Sequence, residues 1–287
     1  MRNSERLGLE QEPKSNDSNQ VFDPIPVQQL TENNNKSELS YFNPTEMIDL
    51  PTKGRFYSKE HPLYNVESIE IRYMGARDVE ILNSKTLLQK GLALDKMLQG
   101  LLIDKSIKVD DLFIPDKNAL ILAARITGFD AEYNTRVICP VCGEKSNHSF
   151  DLNAVKAKEV DEKVELMPDG SFELALPLSK AKVVCKLLTG ADEKELQLMS
   201  NKKKKHKLPE QPLMDQLKQI IVSVNNDTDK EVVNKFIDNI LARDSKFIRD
   251  EYARITPNID LKQMFECSVC SSESEINIPL TADFFWP

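Results

Sequence analysis

Four of the five cysteines in this 287-residue chain form two CxxC pairs, Cys139 with Cys142 and Cys267 with Cys270. Two residues between cysteines let the chain turn so that both sulfurs face one ion, and Gly143 after the first pair permits a positive φ. Structural zinc is almost always four-coordinate, so each pair supplies half of a site. We therefore predict one structural zinc ion bound by all four cysteines.

Other interpretations of these cysteines stay open. Either pair is also a candidate thioredoxin-like redox motif, although that chemistry needs the motif at the start of a helix and both pairs lie between strand patterns. A third alternative is that the two CxxC turns have the form of zinc knuckles but bind no metal. His148 is the one histidine that qualifies as a substitute ligand, whereas Cys185 lies in an apolar stretch and is expected to be a small buried hydrophobic residue.

The residues around each pair predict a β-hairpin with the CxxC turn at its tip. Thr135, Val137 and Cys139 alternate as in a strand, and residues 148–152 can return as the partner strand. Residues 261–266 and 275–278 flank the second turn in the same way. We expect two zinc-knuckle hairpins that meet in one zinc-ribbon-like site.

A tetrapeptide match indicates that the two hairpins belong to an internal repeat. The sequence Ala-Arg-Ile-Thr ends at Thr127 before the first pair and at Thr256 before the second. The separations are 139 − 127 = 12 and 267 − 256 = 11 positions. We therefore predict an internal duplication in which a helix ends, a strand follows and a CxxC hairpin closes each half.

The rest of the chain predicts a mostly helical body with β-hairpins, hence an α+β fold. Asp116 is the expected N-cap of one helix, Pro168-Asp169-Gly170 the expected turn of a hairpin, and residues 50–54 a further turn. Helical spacing of apolar residues covers 76–91, 92–104, 117–129, 212–224, 229–241 and 245–255, and strand alternation covers 68–74.

Composition divides the chain into a tail and two halves. Residues 1–40 are polar with few apolar anchors and are predicted to be a disordered N-terminal tail. The first α+β half is predicted at 41–155, with Cys139 and Cys142, and the second at 156–287, with Cys267 and Cys270. Aromatic residues at 284–286 are expected either to fill the core or to dock into a neighbour.

Charge and hydropathy exclude several classes of protein. The formal net charge is −8, from 38 Lys plus Arg against 46 Asp plus Glu, so nucleic acid is not the expected partner. Residues 202–207, KKKKHK, are the basic exception, and we interpret them as a solvated loop rather than a phosphate-binding patch. We find no apolar run long enough for a membrane span and no signal-peptide core, so we expect a cytoplasmic protein.

Catalytic signatures are missing from the sequence. It contains no GxSxG, HExxH, GxxxxGK[ST] or GxGxxG motif, and a metal held by four cysteines keeps no open position. We therefore predict a non-enzymatic protein with no catalytic residues, no cofactor-binding residues beyond the zinc ligands and no small-molecule substrate.

A family resemblance adds to these predictions. The LPTKGRFY segment, the residues after SIEIRYMGARDVEIL, the run into CPVCG and the closing FFWP resemble the baseplate hub and tail assembly proteins of T4-like tailed bacteriophages, over residues 45–287. The resemblance implies a structural component or assembly factor of the baseplate hub, with other phage tail proteins as partners. It also implies a location in the cytoplasm of the infected bacterial host or in the virion tail baseplate.

Two functions of other classes remain as alternatives. A zinc-ribbon protein that binds nucleic acid or takes part in transcription needs a basic face, which residues 202–207 supply only in part. A redox or metal-handling enzyme needs at least one CxxC thiolate of low pKa.

Overall fold

The computed structural model describes residues 44–158 and 163–286, and these form an α+β fold of eight helices and small antiparallel sheets. The predicted disordered tail, residues 1–40, lies outside the described residues. In the part of the chain that the structure describes, no helix is both long and apolar enough to cross a membrane.

The first half of the described chain runs from a hairpin through four helices to the first CxxC hairpin. Its elements are β1 (Thr45–Asp49), β2 (Ser68–Arg72), α1 (Ala76–Asn83), α2 (Lys85–Gln89), α3 (Ala93–Leu101), a 3-10 helix (Val109–Asp111), α4 (Ile114–Phe129), β3 (Glu132–Ile138), β4 (Lys145–Asp151), a 3-10 helix (Leu152–Ala154) and β5 (Lys156–Lys158).

The second half also runs from paired strands through four helices to a CxxC hairpin, but one strand interrupts its helices and another precedes its hairpin. It contains β6 (Phe172–Ala175), β7 (Lys182–Cys185), α5 (Gly190–Lys205), α6 (Pro212–Ile220), β8 (Ile221–Val224), α7 (Lys230–Asp238), α8 (Ala242–Ile255), β9 (Asn258–Asp260), β10 (Lys262–Glu266), β11 (Glu273–Asn277) and a 3-10 helix (Ala282–Phe285). Strands pair as β1-β2, β3-β4, β5-β9, β6-β7-β8 and β10-β11.

Two hydrophobic cores lie in the molecule, and each contains aromatic side chains from the other half. The first core is built from residues 50–152, and it also buries Phe265, Phe284 and Phe285. The second core is built from residues 172–255, and it also buries Phe56. Tyr57, the next residue, belongs to the first core, so the loop between β1 and β2 contributes to both. Burial of these rings stabilises the two halves together.

A buried aspartate occupies the same place in both halves. Asp116, in the first turn of α4, accepts hydrogen bonds from the backbone N–H of Thr52 at 3.0 Å, the Thr52 hydroxyl at 2.7 Å and the Tyr57 hydroxyl at 2.8 Å. Asp244, in the first turn of α8, accepts from the backbone N–H groups of Leu178 and Ser179 at 2.8 and 2.9 Å. Each carboxylate therefore fixes the turn after the first strand of its half to the helix that leads into the knuckle.

The N-termini of α1 and α5 match as well. Arg72, at the end of β2, pairs with Asp78 at 2.7 Å, and the backbone N–H of Gly75 donates to the same carboxylate. Lys186, after β7, pairs with Asp192 at 2.8 Å, and the backbone N–H of Thr189 donates to that carboxylate. Both carboxylates lie six positions after their cation, in the first turn of a helix, where negative charge is favoured.

Two sequence predictions about helix ends are wrong. Asp116 is not the N-cap of α4, because the helix begins at Ile114 with Pro115 in its first turn. Asp116 therefore lies inside the helix, and its carboxylate binds the turn at Thr52. Lys202 to Lys205 do not form a loop: they are the last turn of α5, where positive charge stabilises the helix C-terminus. Lys203 also pairs with Asp215 at 2.6 Å.

Two strand assignments also change. Pro168-Asp169-Gly170 makes a turn, with the Gly170 N–H donating to the Met167 carbonyl, yet residues 164–167 are not a strand and β6 pairs with β7 instead. A Cβ on Gly170 would lie 1.8 Å from the Phe56 carbonyl oxygen, so this turn packs against the β1-β2 loop. The predicted helix at 212–224 ends at Ile220, because the β-branched residues that follow pair with β7 as β8.

Candidate metal centre

The first CxxC turn closes the hairpin of β3 and β4, in which Thr135 pairs with His148. The backbone N–H of Cys139 donates to the Glu144 carbonyl at 2.8 Å, and the N–H of Gly143 donates to the Cys139 carbonyl at 2.9 Å. Gly143 has φ +75°, the left-handed conformation that glycine adopts without steric cost. The predicted hairpin and the predicted role of Gly143 are both confirmed.

The second turn, between β10 and β11, has the same hydrogen bonds. Cys267 N–H donates to the Ser272 carbonyl at 3.0 Å, and Ser271 N–H donates to the Cys267 carbonyl at 2.9 Å. Ser271 stands where the first turn has Gly143 and has φ +50°, which costs a residue with a Cβ more than it costs glycine. The two knuckles thus share a backbone but differ in the side chains after the second cysteine.

The structure brings the four predicted ligands together. The Sγ atoms of Cys139 and Cys270 lie 3.7 Å apart, as do those of Cys142 and Cys267, and all four Sγ atoms lie within 4.8 Å of one another. A tetrahedral ion with bonds of about 2.3 Å to sulfur places its ligands about 3.8 Å apart, whereas a disulfide needs about 2.0 Å. The spacing therefore fits a four-thiolate metal site, and all five cysteines are free thiols.

Each knuckle contributes one buried and one exposed cysteine. Cys139 and Cys267 are about 1 % exposed and belong to the first core, while Cys142 and Cys270 are exposed. This alternation follows from the turn, because the first cysteine of each pair continues the inward face of its strand and the second lies at the tip.

Hydrogen-bond donors favour the thiolate form of two of the sulfurs. The hydroxyl of Ser272 lies 3.5 Å from Cys139 Sγ and 3.0 Å from Cys270 Sγ. It is the largest factor that lowers the pKa of Cys139 to about 6, with help from the backbone N–H of Cys142, and it also lowers the pKa of Cys270. Metal sites need deprotonated sulfurs, so these donors suit the cluster to a cation.

Cys142 behaves differently in the free thiol cluster. The backbone N–H of Glu144 lowers its pKa, but desolvation and the neighbouring sulfurs raise the pKa of Cys142 to about 12. A cation that binds the cluster must therefore displace a proton from this sulfur, and we expect metal affinity to increase with pH.

The other candidate residues lie outside the cluster. His148 packs edge-on against Phe150 at 4.6 Å and Phe265 at 5.2 Å between ring centroids, and the cluster found among the described residues consists of the four cysteines without it. Cys185 is fully buried in β7, as expected of a small hydrophobic residue, and burial raises the pKa of its thiol to about 12.

Sequence reasoning missed Ser272 and Asp244, and it misassigned Asp116 as a helix cap. The only sequence signal for Ser272 is its position two residues after Cys270, where the first knuckle has Glu144. Asp116 and Asp244 hold the helices that lead into the knuckles, but their partners lie 59 to 66 positions away, so local patterns do not reveal them.

Comparison with known proteins assigns the chain to a family. No curated protein and no solved structure matches the chain. Residues 61–286, most of the chain and all of the cysteine cluster, match the family model described as T4 bacteriophage base plate protein. The chain therefore belongs to the T4 bacteriophage base plate protein family.

Proposed function

We propose that this protein is a non-enzymatic component or assembly factor of the phage tail baseplate hub, with a structural zinc ion as a clasp between its halves. The observation that carries the clasp is the spacing of the Sγ atoms of Cys139, Cys142, Cys267 and Cys270, all within 4.8 Å of one another. These four thiolates would complete the tetrahedral coordination of a zinc ion, and the bound ion would cross-link the two knuckles.

The clasp joins parts of the chain that are far apart in sequence. Each close Sγ pair joins the two knuckles, because Cys139 and Cys270 are 131 positions apart in the sequence and Cys142 and Cys267 are 125 positions apart. Closing so long a loop costs conformational entropy, and metal binding at such a site contributes directly to the free energy of folding.

The internal duplication explains why each half supplies two ligands. Support comes from the matched knuckles, from Asp116 and Asp244 at the start of the helix before each knuckle, and from the matched ion pairs at α1 and α5. We propose the halves 41–155 and 156–287 as two copies of one sequence unit rather than as two separable cores, since Phe56 and Phe284 are each buried in the core of the other half.

The role in the hub follows from the family and from the character of the site. Baseplate proteins act by binding other baseplate proteins, and the four thiolates leave no ligand position for a substrate. We propose assembly in the cytoplasm of the infected host with other tail proteins as partners, and a place at the virion tail baseplate.

Elemental analysis tests the clasp. We expect about one zinc per chain in the purified wild type. Cys139→Ser and Cys267→Ser should each lose the metal, because either change removes a ligand from the one shared site. Cys185→Ala, which removes the cysteine outside the cluster, is the matched control and should keep it. Zinc retained by either ligand variant, iron in place of zinc, or no metal in the wild type would overturn the proposed zinc site.

Co-expression tests the assembly role separately. Tagged wild-type chain, expressed with the other tail proteins of its phage, should co-purify with at least one of them in stoichiometric amount. The same preparation passed over heparin at physiological salt should not be retained, given the net charge of −8. Retention on heparin without association with any tail protein would favour nucleic-acid binding instead.

A further inference from the structure

The four sulfurs of the cluster are not equivalent, because only one knuckle carries a hydroxyl beside them. Ser272 Oγ lies 3.0 Å from Cys270 Sγ and 3.5 Å from Cys139 Sγ, so one side chain reaches a sulfur of each half. The matched position in the first knuckle is Glu144, which carries no hydroxyl group. Among the residues that the structure describes, no hydroxyl group forms a hydrogen bond with Cys142 or Cys267.

Solvent exposure leaves two of the four cysteines accessible to reagents. Cys139 and Cys267 are buried, whereas Cys142 and Cys270 lie at the exposed tips of the turns. The difference that remains is the Ser272 hydroxyl, which withdraws electron density from Cys270 alone of the two.

We propose that Cys142 is the reactive ligand of the centre, the sulfur at which soft electrophiles and peroxides modify the protein and open the clasp. This inference rests on the proposed zinc site and adds to it a modification site of defined chemistry. A metal-bound thiolate that accepts fewer hydrogen bonds keeps more of its nucleophilicity, and Cys142 combines that with access to solvent.

Maleimides and hydrogen peroxide both react at the Cys142 sulfur. With a maleimide, the Cys142 sulfur forms a bond to an alkene carbon, the C=C π bond breaks, and water gives a proton to the neighbouring carbon. With hydrogen peroxide, the sulfur takes one oxygen as the O–O bond breaks, which yields a sulfenic acid and hydroxide. The Cys267 thiolate, 3.7 Å away, then displaces hydroxide to form a disulfide, so the protein loses two electrons and peroxide gains two.

Limited modification of the full chain tests the proposal. The metal-loaded protein is treated with substoichiometric N-ethylmaleimide, metal release is followed with a chromogenic chelator, and fragment-ion mass spectrometry assigns the modified cysteine. We expect Cys142 to react about tenfold faster than Cys270, since one charge-assisted hydrogen bond distinguishes them. Peroxide should give a disulfide between Cys142 and Cys267.

Two matched variants change which knuckle carries the hydroxyl group. Ser272→Ala removes the hydroxyl and should raise the rate at Cys270 toward that at Cys142. Glu144→Ser introduces a hydroxyl at the matched position and should slow the reaction at Cys142. Neither change removes a ligand, so metal content should stay near that of the wild type.

The outcomes separate this inference from the zinc clasp. A chain without bound metal refutes the clasp and the reactive ligand together. A metal-loaded chain that reacts first at Cys270, or whose selectivity is the same in Ser272→Ala, refutes the reactive ligand and leaves the clasp in place.

Discussion

The two CxxC knuckles have the same backbone hydrogen bonds but different side chains around them. The first is completed by Gly143 and Glu144, the second by Ser271 and Ser272. The comparison shows that the same spacing and turn hydrogen bonds give each knuckle one buried and one exposed sulfur, although the side chains that follow differ. The residues after each pair are then free to change the electronic environment of the sulfurs without changing their positions.

The two buried aspartates, Asp116 and Asp244, also occupy matched positions but accept hydrogen bonds from different donor groups. Asp116 is bound largely by hydroxyl groups in a fully buried site, and burial raises its pKa to about 6 although the Thr52 and Tyr57 donors lower it. Burial also raises the pKa of Asp244, but the backbone N–H groups of Leu178 and Ser179 bring it below its ordinary value. One position in the fold therefore has opposite pH behaviour in the two halves.

The largest effect on stability is expected for the aromatic residues that each half contributes to the core of the other. Phe56→Ala and Phe284→Ala each remove a buried ring and should lower the free energy of unfolding by about 3 to 5 kcal/mol, measured by urea denaturation. Trp286→Ala is the control, because that side chain is 40 % exposed and should cost less. If Phe56→Ala and the control proved equal, mutual stabilisation of the halves would be wrong.

Hydrogen exchange sharpens this prediction. Phe56→Ala should reduce amide protection first in the sheet of β6, β7 and β8, although residue 56 belongs to the first half of the sequence. Loss of protection confined to α3 and α4 would show instead that each core is independent.

The buried aspartates predict opposite responses to pH. A raised pKa means that Asp116 favours the folded state most when protonated, so its contribution is present below about pH 4 and is lost as the pH rises through 6, about 3 kcal/mol in all. Asp116→Asn should remove this decline between pH 4 and 6. Urea denaturation at several pH values measures it, and an unchanged slope in the variant would contradict the assignment.

Asp244 provides the contrast. Its lowered pKa means that its contribution is present above about pH 4 and is lost as the pH falls below that value. Asp244→Asn leaves one of the N–H groups of Leu178 and Ser179 unpaired and should cost about 1 to 3 kcal/mol at pH 7. The deficit should shrink in acid, and a deficit that grew there would refute the contrast.

The smallest effect concerns the residue after each pair of cysteines. Ser271→Gly removes the steric cost of a serine in the left-handed conformation and should stabilise the fold by about 0.5 to 1 kcal/mol. Gly143→Ala introduces that cost and should destabilise the fold by about 1 kcal/mol. Open space surrounds a Cβ at Gly143, so the second change measures backbone conformation alone. Thermal denaturation of the metal-loaded variants measures both, and equal shifts of one sign would show that the two turns are not matched.

The sequence was informative where a local pattern determines the structure. The strands flanking both CxxC turns follow from period-two alternation, and α3 follows from its apolar face, so the hairpins and the positive φ of Gly143 could be predicted. That all four cysteines converge was inferred from the coordination number of zinc rather than from any fold pattern.

Errors arose where a distant partner decided the outcome. Asp116 resembles a helix cap, but its carboxylate binds a turn 64 residues earlier in the chain. Residues 221–224 continue a helical spacing, but the edge of β7 is available to pair with them. The interlocked cores could not be predicted either, because no local signal distinguishes a ring buried in its own half from one buried in the other.

The burial of Phe265, Phe284 and Phe285 in the first core sets an order of events during synthesis. Arg125, in α4, donates to the carbonyl of Phe284, 159 residues later. While residues 44–155 emerge from the ribosome, their core lacks these three rings and exposes the apolar surface that the rings will cover. The half that is synthesised first therefore completes its core only after residue 285 has been added, and until then its uncovered apolar surface favours aggregation.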